Sequence, residues 1–417
     1  MTSSQPLKLA VIGTGNRANK YLKYCELHPT RLQLVAIAEV NPLRGEACAA
    51  RFHLPAESCY DDFRKMLRER SDIDMVLVST PDHLHYRPVV ESILKGHHVL
   101  IEKPIAQRIE ECREIVRLAQ EHHVRVGVCH VLRYHPYFQK LKQLVSSGEY
   151  GDMVSIQHHV AVGLDRATHS FVRGLFRNSE LSNPMLVSKC CHDVDFLMWL
   201  TEGHCQRVSS FGSLKWFKKE CAPQGSAPRC TQCSIEPNCP YSAKNLYLER
   251  RDWISNFDIP HNGTIDDAIL NELHHGDYGR CVFHADNNVV DHQTTILELS
   301  DRTTITLTMD MFTADDLRRT TIHLTHGEIY GNEEQITARK FRGEEQRFDF
   351  RPQLSQPYHA GADLRVINDF CNAILNPSAP FEISAEDLLE SYLVCHAAER
   401  SRLDGCTYTM HQFCEYL

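Results

Sequence analysis

The sequence predicts an α/β protein of two domains: a doubly wound parallel sheet at the N-terminus, then an α+β domain with a large, mostly antiparallel sheet. Three observations lead to this prediction. The chain has 417 residues, more than one hydrophobic core usually serves. Up to His130, short apolar strands alternate with helical segments, as in parallel sheets covered by helices. Beyond Tyr150, strand segments alternate apolar and polar residues, as half-exposed antiparallel strands do. We therefore predict domains at residues 1–130 and 131–417.

The composition argues against several classes of protein. The net charge of −9 disfavours binding to nucleic acid or to an anionic membrane surface. No apolar run is long enough to span a bilayer. The polar start from Met1 to Pro6 predicts a cytoplasmic protein without a signal peptide. The 17 cysteines are then expected as thiols or metal ligands rather than as a disulfide framework.

The first strand and the turn after it carry a nucleotide-binding pattern. Apolar segment 7–12 runs into a turn that begins a helical pattern and reads Gly13-Thr14-Gly15-Asn16-Arg17-Ala18. This is the dinucleotide-binding fingerprint of the Rossmann fold, with Ala18 in the third glycine position. Gly13 permits the tight turn, and Gly15 lets the backbone approach a pyrophosphate. The residues predicted to bind the cofactor here are Gly13, Thr14, Gly15, Asn16 and Arg17.

The second strand adds a cofactor preference. Segment 32–38 ends at Glu39, about 20 residues after the glycines, where an acid hydrogen-bonds the adenosine ribose in this fold. Since a carboxylate would repel a 2′-phosphate, the sequence favours NAD over NADP. Arg44 lies close by in the sequence and leaves NADP open.

Two later strands bring polar residues to the same edge of the sheet. Strand 74–79 ends in a loop that contains Thr80, Pro81 and His85, and strand 98–101 ends at Glu102-Lys103-Pro104. Ligands bind outside the carboxyl ends of such strands. Lys103 can hold an anionic or hydroxyl group there, and the alternative is a surface lysine that begins a loop. The intervening helices are predicted at 42–51, 61–70, 85–95 and 109–121, with a last strand at 125–129.

The second domain is predicted from its strands and helices in the same way. Its strands are expected at 153–162, 280–283, 294–299, 303–309 and 320–326, with a helix at 190–200. Amphipathic helices at 363–375 and 385–403 are expected to return to the domain junction. A sheet of this kind usually buries its open face against a second copy, so we expect a homo-dimer or homo-tetramer.

The start of helix 190–200 carries a candidate base. His192 and Asp195 lie three residues apart, on one helical face, and Lys189 lies a turn earlier. An imidazole oriented by a carboxylate is a usable general base near neutral pH. The alternative is a cluster that caps the helix around a structural histidine.

These motifs together resemble those of the glucose-fructose oxidoreductase/inositol dehydrogenase (Gfo/Idh/MocA) family. The matches are the glycine turn at 13–18, Glu102-Lys103-Pro104, the helix start at 189–195, and His359-Ala-Gly361-Ala-Asp363. The resemblance implies a nicotinamide-dependent enzyme that acts on a sugar, a polyol or a related hydroxyl compound. It also implies that Lys103 and His192 face the nicotinamide, where His192 takes the hydroxyl proton and Lys103 binds the hydroxyl.

The resemblance also suggests further site residues. Glu102, Thr80, Pro81 and His85 are expected on the cofactor side, with His85 as a positioning residue. Substrate contacts are expected from Tyr134, His135, Asp195 and His359, although hinge packing is an alternative for Tyr134 and His135. Inositol dehydrogenases carry an aspartate four residues before the histidine, where this chain has Ser188. Lys189 is then expected to bind substrate or to acidify a neighbouring group, as a third catalytic residue.

A group of cysteines suggests a separate metal site. Cys221, Cys230, Cys233 and Cys239 lie in or beside a Pro/Gly-rich insertion near residues 221–241. Such a loop has little apolar content of its own, and a structural zinc held by four thiolates would stabilise it. Free thiols and an iron–sulfur centre remain alternatives, and a distant residue could replace Cys221 as the fourth ligand.

Three functions therefore stay open. The first is NAD(H)-dependent oxidation or reduction of a sugar, cyclitol or glycoside. The second keeps the hydride chemistry but returns the hydride after an elimination, which gives glycoside cleavage without net NAD consumption. The third is a non-enzymatic regulator that binds NAD or a sugar, against which Lys103 and His192 argue.

Overall fold

The computed structural model describes residues 5–259, 262–379 and 381–416. The polar start predicted to lack a signal peptide lies mostly outside these residues. The chain forms two compact units. The first unit comprises the segments up to Val131, Ser255–Ala268 and Gly361–Leu389, and the second unit comprises Leu132–Ile254, Ile269–Ala360 and the chain from Glu390 on. The predicted domain boundary at 130/131 remains a prediction.

The first unit is built on a six-stranded parallel sheet, as the sequence predicts. The strands are β1 (Leu7–Ile12), β2 (Leu32–Ala38), β3 (Cys59–Tyr60), β4 (Met75–Val78), β5 (His98–Ile101) and β6 (Val126–Val128), in the order β3-β2-β1-β4-β5-β6. The helices are α1 (Asn16–Tyr21), α2 (Lys23–Leu27), α3 (Pro42–Phe52), α4 (Phe63–Glu69), α5 (Tyr86–Leu94) and α6 (Ile109–Glu121). Strand β4 is buried along its whole length, because helices cover both faces of such a sheet. The carboxyl ends of β1, β4 and β5 therefore lie side by side.

The later helices include several short ones. They are α7 (Pro136–Ser146), α8 (Leu164–Arg166), α9 (Met185–Ser188), α10 (Cys191–Thr201), α11 (Ile265–His274), α12 (Arg351–Leu354), α13 (Pro357–Ala360), α14 (Ala362–Leu375), α15 (Ala385–Asp404) and α16 (Met410–Tyr416). Two π-helical segments are Ala167–Arg173 and Asn245–Glu249. Helix α14 belongs to the first unit. There it lies against α1 and α2, where Tyr24 donates a hydrogen bond of 2.8 Å to Asn368.

The second unit carries a nine-stranded, mostly antiparallel sheet. Its strands are β7 (Met153–Ala161), β8 (Cys205–Ser213), β9 (His292–Leu299), β10 (Thr304–Asp310), β11 (Arg318–Leu324), β12 (Gly327–Gly331), β13 (Gln335–Lys340), β14 (Glu345–Asp349) and β15 (Tyr408–Thr409). Their order is β14-β13-β12-β11-β7-β10-β9-β8-β15, and only β7 and β10 pair in parallel. Both parts of the predicted fold class are thus confirmed.

One predicted strand is wrong. Segment 280–283 forms no strand, and Arg280 makes only an isolated bridge to Arg229. The apolar residues Cys281, Val282 and Phe283 are buried all the same. Burial in a loop gives a short apolar run the same appearance as a buried strand.

Candidate active site

The turn between β1 and α1 presents bare backbone. Gly13 has φ +86°, and a Cβ there would lie 2.8 Å from the carbonyl oxygen of Ser79, so this position requires glycine. Gly15 precedes the first turn of α1, and a Cβ on it would meet nothing within 4 Å. The turn is therefore both tight and open to a ligand, which fits the predicted approach of a pyrophosphate.

Glu39 braces this turn from the end of β2. Its Oε2 accepts hydrogen bonds from Thr14, 2.7 Å from the backbone nitrogen and 3.1 Å from the hydroxyl. Its Oε1 accepts one of 2.8 Å from the backbone nitrogen of Asn41. Glu39, the residue predicted to bind the ribose, thus lies beside the glycine turn, and its carboxylate hydrogen-bonds to that turn.

Arg44 does not offer a free positive charge near Glu39. Its guanidinium forms a two-point ion pair with Asp258, at 2.7 Å from Nε and 2.9 Å from the second nitrogen. Because the carboxylate of Asp258 balances this charge, Arg44 is a poor receptor for a 2′-phosphate. The arrangement favours NAD over NADP.

A buried charge cluster lies behind the glycine turn. Oε1 of Glu102 accepts hydrogen bonds of 2.7 Å from Arg17 Nε and from the hydroxyl of Tyr21. Arg17 also binds Asp363 at 2.8 Å, which ties the start of α14 to this turn. Burial pushes the pKa of Glu102 upward, but the charges of Arg17 and Lys103 outweigh it and hold that pKa below its usual value. The Arg17–Glu102 ion pair therefore connects the first turn of α1 to the end of β5.

Lys103 is fixed by this cluster through its backbone. Its amide nitrogen donates a hydrogen bond of 2.8 Å to Glu102 Oε2, directly after β5. The side chain is half-buried. Lys103 thus stands at the carboxyl edge of the sheet, as predicted, and its side chain extends from an anchored backbone.

His85 links the two loops that border Lys103. Its Nδ1 lies 2.7 Å from the carbonyl oxygen of Pro104, and its Nε2 lies 2.9 Å from that of Thr80. The imidazole thus lies between the two loops, and its positioning role in catalysis remains a prediction. The Thr80 hydroxyl is buried, and it has no hydrogen-bond partner among the described residues. It could therefore serve a bound ligand, as expected for this loop.

The predicted base and its neighbouring lysine lie in the second unit. Helix α9 ends at Ser188, and α10 begins at Cys191, so His192 occupies the first turn of α10. His192 is half-exposed, whereas Lys189 is only 8% exposed. Burial, together with repulsion from Arg318 and Arg166, lowers the pKa of Lys189 to about 7. Lys189 can therefore change its charge near neutral pH.

Asp193 anchors a buried ion network beside Lys189. Arg318 from β11 pairs with Asp193 and, at 3.3 Å, with Glu333. His158 from β7 lies 3.2 Å from the same carboxylate, and its Nδ1 lies 2.9 Å from the hydroxyl of Thr320. Burial would raise the pKa of Asp193, but the charge of Arg318 holds it well below its usual value. The network fixes the start of α10, which carries His192.

Asp195 and His135, both predicted to bind substrate, have hydrogen-bond partners within the protein. Asp195 is fully buried and forms a two-point ion pair with Arg133, with contacts of 2.6 and 3.0 Å. His135 is buried at the start of α7, where its Nδ1 accepts a hydrogen bond of 3.3 Å from the Tyr137 nitrogen. Their predicted contacts with a substrate remain predictions. Tyr134 is also buried, while His359 is exposed at φ +52°, and their substrate contacts remain predictions.

Several residues of the site have no local sequence signal. Arg318 comes from β11, Glu333 from the turn between β12 and β13, and Arg166 from the short helix α8, all far from Lys189 in the sequence except Arg166. Arg166 pairs with Asp316 at 2.8 Å and lies over the ring of Trp253 at 5.2 Å. A charged residue in a strand or a turn normally indicates a solvated face, so the sequence gave no sign that Arg318 and Glu333 are buried.

The predicted zinc site is not supported as a formed ligand set. Within the described part of the chain, no three or more His, Cys, Asp and Glu side chains are grouped so as to hold a metal ion. None of the 17 cysteines, all of which lie in the described residues, is joined in a disulfide bond. The Sγ of Cys221 lies 3.6 Å from the carbonyl oxygen of Lys215.

The described helices also settle one point about membranes. None of them combines the length and the apolar character needed to cross a bilayer.

Two family profiles match the chain. Residues 7–130 match the oxidoreductase family profile with an NAD-binding Rossmann fold, and residues 138–227 match the GFO/IDH/MocA C-terminal domain.

Curated relatives are distant. A putative oxidoreductase, YteT of Bacillus subtilis, is 22% identical over 363 residues, which cover 82% of this chain and 83% of that protein. A 2,7-anhydro-N-acetylneuraminate hydratase of Mediterraneibacter gnavus is 32% identical, over 28% of this chain and 30% of that protein.

Solved structures share the fold over nearly the whole length. An Agrobacterium radiobacter oxidoreductase in complex with NAD+, L-tartaric acid and magnesium has a TM-score of 0.72 at 16% identity, covering 98% of this chain and 99% of that chain. The WlbA dehydrogenase of Bordetella pertussis, in complex with NADH and UDP-GlcNAcA, has a TM-score of 0.69 at 17% identity, with coverage of 98% and 99%. At such identities these likenesses establish the fold alone.

Proposed function

This chain belongs to the Gfo/Idh/MocA family of oxidoreductases, and on that premise we propose an NAD(H)-dependent enzyme that moves hydride between nicotinamide and a hydroxyl-bearing carbon of a sugar, cyclitol or glycoside. The observation that carries the proposal is the placement of Lys103. It follows β5 at the carboxyl edge of the sheet, and Glu102 links its backbone to Arg17 of the glycine turn. A cation held at this edge, beside a dinucleotide-binding turn, fits the binding of a reacting hydroxyl.

The chain offers residues for the cofactor. The open backbone at Gly15, the braced Glu39 and the Thr80 hydroxyl without a protein partner would hold it. Nicotinamide, when bound, accepts or supplies the hydride. Because Arg44 is neutralised by Asp258, NAD is the expected form.

His192 and Lys103 have separate roles in the proposal. His192 takes the proton of the reacting hydroxyl, since an imidazole can change its charge near neutral pH. Lys103 binds the hydroxyl oxygen and stabilises the negative charge that develops there. Asp193 and Asp195 are positioning residues in this proposal. Asp193 fixes the start of α10 through its ion pair with Arg318, and Asp195 forms an ion pair with Arg133.

A second candidate function is redox-neutral cleavage of a glycoside. In that reaction, oxidation of a sugar hydroxyl acidifies a neighbouring C–H, a leaving group departs, and the hydride returns. The buried Lys189 favours it, because an amine with a pKa of about 7 can donate or accept a proton at neutral pH. One partial relative is also named a hydratase rather than a dehydrogenase.

The test is absorbance at the reduced-nicotinamide band, with the full chain, NAD and a panel of sugars, sugar acids, cyclitols and glycosides. We expect a sustained rise with one class and a lower kcat/KM with NADP in place of NAD. The Lys103→Met variant is the control for contaminating activity. Product from a glycoside without an absorbance rise would favour redox-neutral cleavage. No product from any class would contradict the enzyme proposal and favour a regulator.

We also propose that the nine-stranded sheet forms a homo-dimer or homo-tetramer through its open face. On the other face, apolar residues such as Leu297 and Ile329 are buried. The open face carries Phe211, Ile296 and Tyr330, which are 66%, 46% and 48% exposed. Exposed apolar groups on one sheet face mark an interaction surface.

Light scattering at micromolar concentration tests the assembly. We expect a mass of at least two chains for the wild type and a shift toward one chain for Phe211→Glu. Leu27→Glu, an exposed leucine of the first unit, should leave the mass unchanged. A monomeric wild type would overturn the proposal.

A further inference from the structure

A small cavity in the second unit is lined by four cysteines. Its volume is about 20 Å³, enough for one occupant of water size. Three of the cysteines, Cys230, Cys233 and Cys239, belong to the insertion near 221–241, and the fourth is Cys281. Cys221 is not among the lining residues, so Cys281 takes the place that the sequence analysis gave to Cys221.

Local turns and one long-range pairing bring these residues together. The helical turn Cys230–Gln232 leads into Cys233, and the turn Glu236–Asn238 leads into Cys239. The bridge between Arg229 and Arg280 places Cys281 next to Cys230, and the backbone nitrogen of Cys281 donates a hydrogen bond of 2.8 Å to Pro228. The insertion is thereby joined to a distant segment of the chain.

A buried cation borders the same cavity. Arg173 is fully buried and lines the cavity with the cysteines. One of its terminal nitrogens lies 3.9 Å from Sγ of Cys230, and the other is buried without a partner among the described residues. The backbone nitrogen of Ala243 lies 3.5 Å from the same sulfur. A positive charge and an N–H donor therefore lie beside the Cys230 sulfur at the edge of the cavity.

We propose that Cys230, Cys233, Cys239 and Cys281 bind one thiophilic divalent metal ion of the Zn²⁺ type. The four thiols lose four protons when they bind the ion. The divalent ion and the four thiolates then have a net charge of −2, beside the positive charge of Arg173. Since no group of side chains in the described residues is already arranged to hold a metal ion, binding requires the four cysteine side chains to adjust around the cavity until tetrahedral Zn–S bonds of about 2.3 Å can form. With four protein ligands and no open position, the ion would be structural, fastening the insertion to the segment around Cys281. This inference is independent of the proposed oxidoreductase activity.

The test compares the metal content of matched variants of the full chain purified with Zn²⁺. We expect one zinc per chain in the wild type and in Cys221→Ser, and loss of that zinc in Cys281→Ser. Loss of zinc in Cys221→Ser with retention in Cys281→Ser would overturn the ligand set. Iron with acid-labile sulfide in place of zinc would overturn the single-ion assignment.

A second measurement does not depend on the folding of a variant. Co²⁺ is titrated into the metal-free wild type, and thiolate-to-cobalt charge-transfer bands are followed together with proton release. We expect saturation at one Co²⁺ per chain, with the absorption of a four-thiolate tetrahedral site. No thiolate band, or saturation only with fewer thiolates, would contradict the proposal.

Discussion

Replacing Lys103 with methionine is expected to lower kcat by about 10²–10⁴-fold, the range for loss of a group that acts on the reacting oxygen. Methionine keeps much of the apolar stem but removes the charge that would stabilise the alkoxide. The Glu102 cluster holds the backbone of residue 103 through its amide, so the turn should keep its shape. NADH binding, measured by fluorescence titration, should then change little. The same loss of turnover with retained NADH binding is expected for His192→Asn.

The matched control for Lys103 is Lys95→Met, which removes the same charge from an exposed position at the end of α5 in the same unit. Its turnover should equal that of the wild type. If Lys103→Met and His192→Asn both kept wild-type turnover on an identified substrate, our assignment of the catalytic residues would be wrong. Loss of NADH binding in Lys103→Met would instead mean that Lys103 holds the cofactor.

Replacing Lys189 with methionine is expected to stabilise the protein at pH 6.5 while lowering its activity. The pKa falls from 10.5 to about 7 in the folded chain, and this difference corresponds to about 5 kcal/mol, as an upper bound, for burying the charged amine. Below pH 7 Lys189 is charged in both the folded and the unfolded chain, so the folded state is destabilised by the full free energy of burying the charged amine. Between pH 7 and 10.5 the folded protein gives up its proton first, so wild-type stability rises with pH. Above pH 10.5 Lys189 is neutral in both the folded and the unfolded chain, so it no longer destabilises the folded state.

Urea unfolding at pH 6.5 and at pH 9.5 measures this effect. The gain in the free energy of unfolding for Lys189→Met should be large at the lower pH and should shrink at the higher pH. Lys218→Met, which replaces an exposed lysine of the same unit, should show no such dependence. A destabilised Lys189→Met at pH 6.5 would mean that the ammonium has a compensating partner when folded.

The activity of Lys189→Met separates a functional role from a structural one. If Lys189 acts as a charged or proton-transferring group, the wild-type profile of kcat/KM against pH has a limb near pH 7. That limb should be missing in the variant. An unchanged profile would leave Lys189 without a role in catalysis. Stability and activity are then expected to move in opposite directions, as for other functional groups held in unfavourable surroundings.

The sequence by itself determined those features of this protein that depend on neighbouring residues. The strand, glycine turn and helix at 7–21 are contiguous, so Gly13 and Gly15 could be assigned from local geometry alone. Glu39 and Lys103 were placed because each directly follows an apolar strand, and all parallel strands end at one edge of the sheet. The position of His192 in the first turn of α10 also followed from the local pattern. The parallel and antiparallel sheets could be distinguished from the pattern of apolar residues. A strand buried on both faces is apolar throughout, whereas a strand buried on one face alternates apolar and polar residues.

Only the tertiary structure decided which distant groups meet. Arg17 pairs with Asp363, and Arg318 pairs with Asp193; no spacing along the chain encodes either contact. The same reason applies to two further contacts that the sequence did not indicate: Asp195 pairs with Arg133, and Cys281 lines the cavity with Cys230, Cys233 and Cys239. A local pattern of apolar residues indicates which face of a strand or helix is buried. The partner of a buried charge or thiol depends on which segments the fold brings together, because that side chain must find its counter-charge or ligand wherever the fold supplies one.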